Sequence, residues 1–267
     1  MLEIYILYLI TGIVGGFLGG LLGLGGGIIF VPSLFFIFLF NHLHADNIMQ
    51  SAVSTSLACV VVSSFSAAIK HNINKLVNWK LFYKMLPGIS LGSIAGVLLI
   101  TILSSSVIKI YYGILLITIA IYMMISRGQD EGEKTKIGKY DHKYINIFAF
   151  FTGSISTLLG IGGGTLTTPY FKFFGETLKR SIATAAACGV PIAFFGILVT
   201  YAIKMSTEML TNNIFNFIDY HAFLLISLST LIFSYLGAGI TFISDTRVLK
   251  KVFCMALMII GITILVS

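Results

Sequence analysis

Gly25-Gly26-Gly27 and Gly162-Gly163-Gly164 are two runs of consecutive glycines that could hold a polar solute without any charged side chain. Three glycines in a row break a helix, because each costs about 1 kcal/mol relative to alanine in a helix interior. A helix that restarts after the break leaves its first amide N–H groups unpaired and presents the positive end of its dipole, roughly half an elementary charge. Glycine also lets that backbone approach a ligand with no Cβ in the way. This is anion-binding chemistry. Thr165 adds a hydroxyl beside the second run, and Ser54, Thr55, Ser56 and Thr184 add more near the start of the apolar segments that follow each break. These hydroxyls and the six glycines are the candidate substrate-binding residues. Cys59 and Cys188, one turn further on, and Pro32 and Pro169 are secondary candidates. The two prolines lie a turn or so into the restarted helices, where a missing N–H costs little while the first turn still holds it. The plainer reading of the serines and threonines is that membrane hydroxyls satisfy their own helix carbonyls. For the cysteines it is simple packing of a small apolar side chain.

Both breaks belong to one repeated element. Gly16 to Pro32 and Gly153 to Pro169 share eight of seventeen positions, and the copies stand 137 residues apart in a chain of 267. The similarity continues more weakly. Ala52 to Cys59 aligns with Ser181 to Cys188, Asn78-Trp79 with Asp219-Tyr220, and Val107-Ile108-Lys109 with Val248-Leu249-Lys250. Apolar segments interrupted by glycine at matching places in two halves point to a transporter's substrate site near the bilayer midplane. Gly12, Gly16 and Gly153 are better read as close helix contacts, since small residues four apart are common helix interfaces in membranes.

The rest of the chain must hold these breaks within a membrane. It is 57% hydrophobic and 10% charged, with mean hydropathy +0.98, which is too little polar surface for a soluble globule. Residues 52–69, 85–108, 110–126, 181–203, 220–244 and 252–267 carry no Asp, Glu, Lys or Arg. Each run approaches the roughly 20 helical residues that cross a hydrocarbon core. The expected fold is therefore an all-α, polytopic helical bundle. Its first repeat, 1–126, has a broken hairpin at 4–40 and helices at 52–69, 82–103 and 107–126. A hydrophilic linker follows at 127–143. The second repeat, 144–267, has a hairpin at 145–174 and helices at 181–203, 220–243 and 248–266. Segments 28–40 and 165–174 are too short to span at about 1.5 Å per residue. The first apolar run, lacking a basic leader and a cleavage site, is expected to be retained.

Charge orients the bundle. If each hairpin returns to its starting side, the loops at 70–84, 127–143, 172–180 and 247–251 share one face and hold fifteen of the seventeen Lys and Arg. Only Lys109 and Lys204 fall opposite. Single crossings would erase that bias, so the positive-inside rule favours two inverted repeats in the cytoplasmic membrane with both termini outside. The net charge of +7 is thus an orientation signal, and a nucleic-acid partner is not expected. Cys59, Cys188 and Cys254 show no ligand spacing, so neither a metal nor any other cofactor is expected.

The G-x-L-G-x-G-G-G-x4-P element at Gly20 to Pro32 and again, with Thr157 in first place, up to Pro169 resembles the TauE/SafE sulfite exporter family of membrane permeases. So do Val53-Ser54-Thr55-Ser56-Leu57 and Val77-Asn78-Trp79. The resemblance runs nearly end to end. It implies transport of sulfur-containing or organic anions such as sulfite, sulfonates or sulfoacetate, with the bilayer and a small anion as the partners. Thr157 replaces the glycine at position 20 of the first repeat, and Ala185 replaces Ser56, so the half-sites are not equivalent. Two other readings stay open. A cation or metal permease would use unwound carbonyls at the breaks. An intramembrane hydrolase would need Ser93 with His71 or His221, although G-x-S-x-G is absent and both histidines lie at helix ends, where a surface role is the default.

Overall fold

The structure is a computed structural model that describes residues 2–44, 47–125, 142–210, 218–241 and 246–266. The expected linker at 127–143 lies almost entirely outside them. Helices α1 (Leu2–Leu22) and α2 (Gly27–Phe40) flank the first break. They are followed by α3 (Ile48–Ile73), α4 (Trp79–Ile102) and α5 (Ser105–Ile125). Helices α6 (His142–Leu158) and α7 (Gly164–Phe173) flank the second break, followed by α8 (Leu178–Leu210), α9 (Tyr220–Ile240) and α10 (Thr246–Val266). The chain is all-helical among these residues. α1, α3, α4, α9 and residues 178–203 of α8 are long and apolar enough to cross a membrane. Large side chains on their outer faces, such as Leu228 at 68% exposure, fit a lipid environment and would be costly in water.

Packing does not follow chain order. α1 lies along α9, and α6 lies along α4, so the first arm of each hairpin packs against the other half's fourth helix. α3 and α8 pair at the centre, α5 pairs with α10, and α2 and α7 lean on α3 and α8. The pattern reads the same from either half. Glycine is the reason that these crossings are close. A methyl built on Gly12 would stand 2.6 Å from the Ile226 carbonyl oxygen, and one on Gly20 would stand 2.0 Å from that of Ser234. On the other pair, Gly92 faces the Phe150 carbonyl at 2.1 Å and Gly153 that of Ile89 at 2.5 Å. Gly12 and Gly153 thus serve helix contact, as does Gly16, which meets Thr230. Hydroxyls stitch the same seam. Thr230 donates to the Gly12 carbonyl at 3.0 Å, Thr241 to that of Leu21 at 3.0 Å, and Ser154 to that of Gly92 at 3.0 Å. Bonds of this kind contribute about 0.6 kcal/mol each in a bilayer.

Candidate functional site

The two break loops touch each other beside the middle of α3 and α8. A methyl on Gly164 would fall 1.9 Å from the Gly23 carbonyl oxygen, and one on Gly27 would fall 2.3 Å from that of Gly160. Gly25 and Gly162 approach so closely that a Cβ on the first would lie 3.2 Å from the Cα of the second. Val60, halfway along α3, borders both Gly25 and Gly27, while Gly189, midway along the membrane segment of α8, faces the second loop. The candidate glycines Gly25, Gly26, Gly27, Gly162, Gly163 and Gly164 are all buried here, as is Thr165.

The local backbone explains the open donors. Gly26 caps α2 with φ 78°, in the left-handed region, and its carbonyl accepts from Ile29 and Phe30. Gly163 caps α7 with φ −54°, and its carbonyl accepts from Leu166, from Thr167 and from the Thr167 hydroxyl. The amide N–H groups at positions 25–28 and 162–165 find no acceptor among the described residues. Buried backbone N–H groups are paired in more than nine cases in ten, so two such clusters in loops that touch are unusual.

The candidate hydroxyls divide between different tasks. Ser56 donates to the Gly160 carbonyl at 2.9 Å and so holds the second break from α3. Ala185 has no hydroxyl to do the same for the first. Thr55 accepts the Asp219 amide at 3.0 Å, and Thr184 accepts the Asn78 amide at 2.9 Å. Those amides belong to the N-caps of α9 and α4, whose side chains in turn accept from Ala222 and Leu81. The threonines therefore brace each half against the other. Ser54 turns elsewhere and lines a narrow cleft with Val97, Ile100, Thr101, Thr200 and Ile203. Cys59 and Cys188 are fully buried in separate apolar clusters.

Pro32 and Pro169 lie a turn and more into their helices, past the first turn. Each is the sixth residue of its helix, so each deprives an internal carbonyl of its donor. For Pro32 that carbonyl is Ile28, and the Tyr112 hydroxyl of α5 donates to it at 3.1 Å. Thr157, where the first repeat has Gly20, stands with its Cβ 2.9 Å from where a Cβ on Gly96 would be, so α4 supplies the missing glycine. His71 is fully buried rather than exposed, since it sits at the end of α3 against the backbone of Gly20. His221 does lie at the surface and stacks on Tyr5, with centroids 6.1 Å apart. Ser93 donates to its own helix at Ile89, 2.9 Å away.

Comparison with known proteins agrees with this architecture. The family model described as Sulfite exporter TauE/SafE matches residues 8–264. A "Probable membrane transporter protein" of Haemophilus influenzae is 26% identical over 262 residues, 98% of both chains. Another of that description, from Methanocaldococcus jannaschii, is 32% identical over 217 residues, 78% of this chain and 76% of its own. No solved structure matches. With its doubled glycine break, ten helices among the described residues and end-to-end match, the chain belongs to the TauE/SafE sulfite exporter family and is a multi-pass membrane transporter.

Proposed function

We propose that this transporter moves small sulfur-containing or organic anions, of the sulfite, sulfonate or sulfoacetate kind, across the cytoplasmic membrane through the paired breaks. The chain does no covalent chemistry on them. The observation that carries this reading is the pair of buried N–H clusters without acceptors at positions 25–28 and 162–165. An oxyanion accepts from both, and each helix N-terminus turns its positive end toward it. A cation meets the wrong pole of each dipole, and the carbonyls of Gly26, Gly160 and Gly163 already accept bonds. Because the break loops are in backbone contact, they must part for a solute to pass. Two repeats in opposite orientation, packed crosswise on α3 and α8, supply a means: rocking of one half against the other around a fixed centre.

Gly163 is the position to test. Its φ is ordinary for any residue, and a methyl there meets only the far end of Ile192, at 2.2 Å. That side chain can rotate away. Gly163→Ala therefore folds but crowds the second N–H cluster. In proteoliposomes its sulfite flux is expected to fall by about ten-fold relative to wild type, as for the loss of one charge-assisted hydrogen bond. Wild-type flux of a cation in place of sulfite, sulfonates and carboxylates would overturn the anion reading.

A further inference from the structure

Ser64 lies in the second half of α3, fully buried, with a hydroxyl that has no hydrogen-bond partner. Such a group is costly and uncommon. The usual remedy in a membrane helix is a bond to the carbonyl four residues back. Ser90, Ser93, Thr200 and Ser229 all take it. Ser64 does not. Its Oγ instead lies 2.6 Å from where a Cβ on Gly25 would stand, and 2.6 Å from the same point on Gly189. After the Ser64 Cβ at 3.2 Å, the next atom near that missing Gly189 methyl is the amide nitrogen of Gly163, at 3.9 Å. Three segments, α3, the first break and α8, thus meet at one hydroxyl, two of them are glycine where it sits, and the second break adjoins the same glycine of α8. A glycine inside α8 costs helix stability, and what occupies the space of its side chain is Ser64. In the register that aligns Ala52 with Ser181, the matching position in the second half is Ala193. The hydroxyl is therefore present on one side only.

We propose that Ser64 is a specificity-determining residue of the substrate site, a third donor that selects a three-oxygen head such as sulfite or a sulfonate over a carboxylate. This rests on the anion reading above. The N–H groups of the first break, those of the second, and the Ser64 hydroxyl form three donor sets on three separate segments. A pyramidal SO3 head offers an oxygen to each. A planar carboxylate has two oxygens, which the breaks satisfy, and it leaves Ser64 buried and unpaired. Discrimination that leaves a buried polar group of the site unpaired in the wrong complex is far stronger than discrimination by size.

The test is uptake of sulfite and of acetate, measured separately in proteoliposomes, by wild type, Ser64→Ala and Gly189→Ala. The second variant keeps the hydroxyl but pushes a methyl against it, so it reports even if Ser64→Ala misfolds. Each change is expected to lower the sulfite-to-acetate flux ratio about ten-fold, the effect of one lost hydrogen bond. Ser64→Ala should also keep or raise its thermal midpoint without anion, by up to about 3 °C, and lose the rise that sulfite gives wild type. An unchanged ratio in both variants, with wild type still carrying sulfite, overturns the role of Ser64 and leaves the anion reading standing. A ratio unchanged while the anion-free midpoint falls marks a structural hydroxyl and overturns it too. Wild type that carries a cation and none of sulfite, sulfonates and carboxylates overturns the anion reading itself, and Ser64 with it.

Discussion

Pro32 deprives the Ile28 carbonyl of its helical donor, and Tyr112 replaces that donor from a helix 80 residues away in sequence. No local pattern links the two positions. The glycine break and its proline stand out in the sequence because both violate helix propensity, whereas Tyr112 reads there as one more aromatic in an apolar run. Ser64 is hidden for the same reason, among several serines on α3 whose facing depends on where the breaks dock. The second half has Phe253 where the register places Tyr112, so the sequence does not repeat this hydroxyl. Replacing Tyr112 with Phe leaves the ring packed and the Ile28 carbonyl open. A loss of about 1–2 kcal/mol is expected in reversible denaturation in detergent. A loss no greater than a few tenths would show that the carbonyl is satisfied otherwise.

Between helices, the braces matter most. Asn78 and Asp219 align in sequence as the residues before α4 and α9, and the structure gives them one role: each caps its own helix and hands its amide to a threonine of the opposite half. The repeat was legible, but the cross-half bond was not, because sequence periodicity places residues along a helix and says nothing of which half it docks on. The two braces differ in what surrounds them. Asn78 donates to Glu176 at 2.7 Å, which also faces Arg180 at 3.6 Å. Asp219 faces His44 at 3.5 Å, with Tyr8 and His221 beside it. Burial works to raise the Asp219 carboxyl. Its hydrogen bonds to His44 and the Ala222 amide, with the charges of His44 and His221, more than offset that and hold it below the ordinary value of 3.8. A depressed carboxyl adds stability that is full above 3.8 and is lost as pH falls through its folded value. Asp219→Asn keeps the cap and removes the titration. Wild type should therefore lose more stability than this variant when taken from pH 5 to pH 3, and parallel curves would assign the acid sensitivity elsewhere. Asp219→Ala removes the cap too and should cost about 1 kcal/mol more than Asp219→Asn at pH 7.

Across the whole molecule, contacts at the helix ends sort into two groups. His44 meets Asp219, and Gln50 meets Leu103 and Ser105, so the turns after α2, after α4 and before α9 lie together. Asn78 meets Glu176 and Thr184, so the turn before α4 lies with the one before α8. Lys75, Lys80, Lys179 and Arg180 are with the second group and Lys109 follows the first. Composition makes the apolar helices legible in the sequence, while the crosswise docking of α1 on α9 and α6 on α4 needs the glycine contacts to be seen in space. The remaining question is which group faces the cytoplasm, and basic loops answer it by resisting translocation. The three native cysteines are buried, so a single introduced thiol reports alone. His42 and Lys75 are both exposed turn residues in opposite groups. In intact cells a membrane-impermeant maleimide should label His42→Cys and spare Lys75→Cys until the membrane is opened. Reversed labelling would invert the orientation and leave the pairing intact. Labelling of both from outside would mean that α3 does not separate the two turns across the membrane, and the crossing pattern would fall.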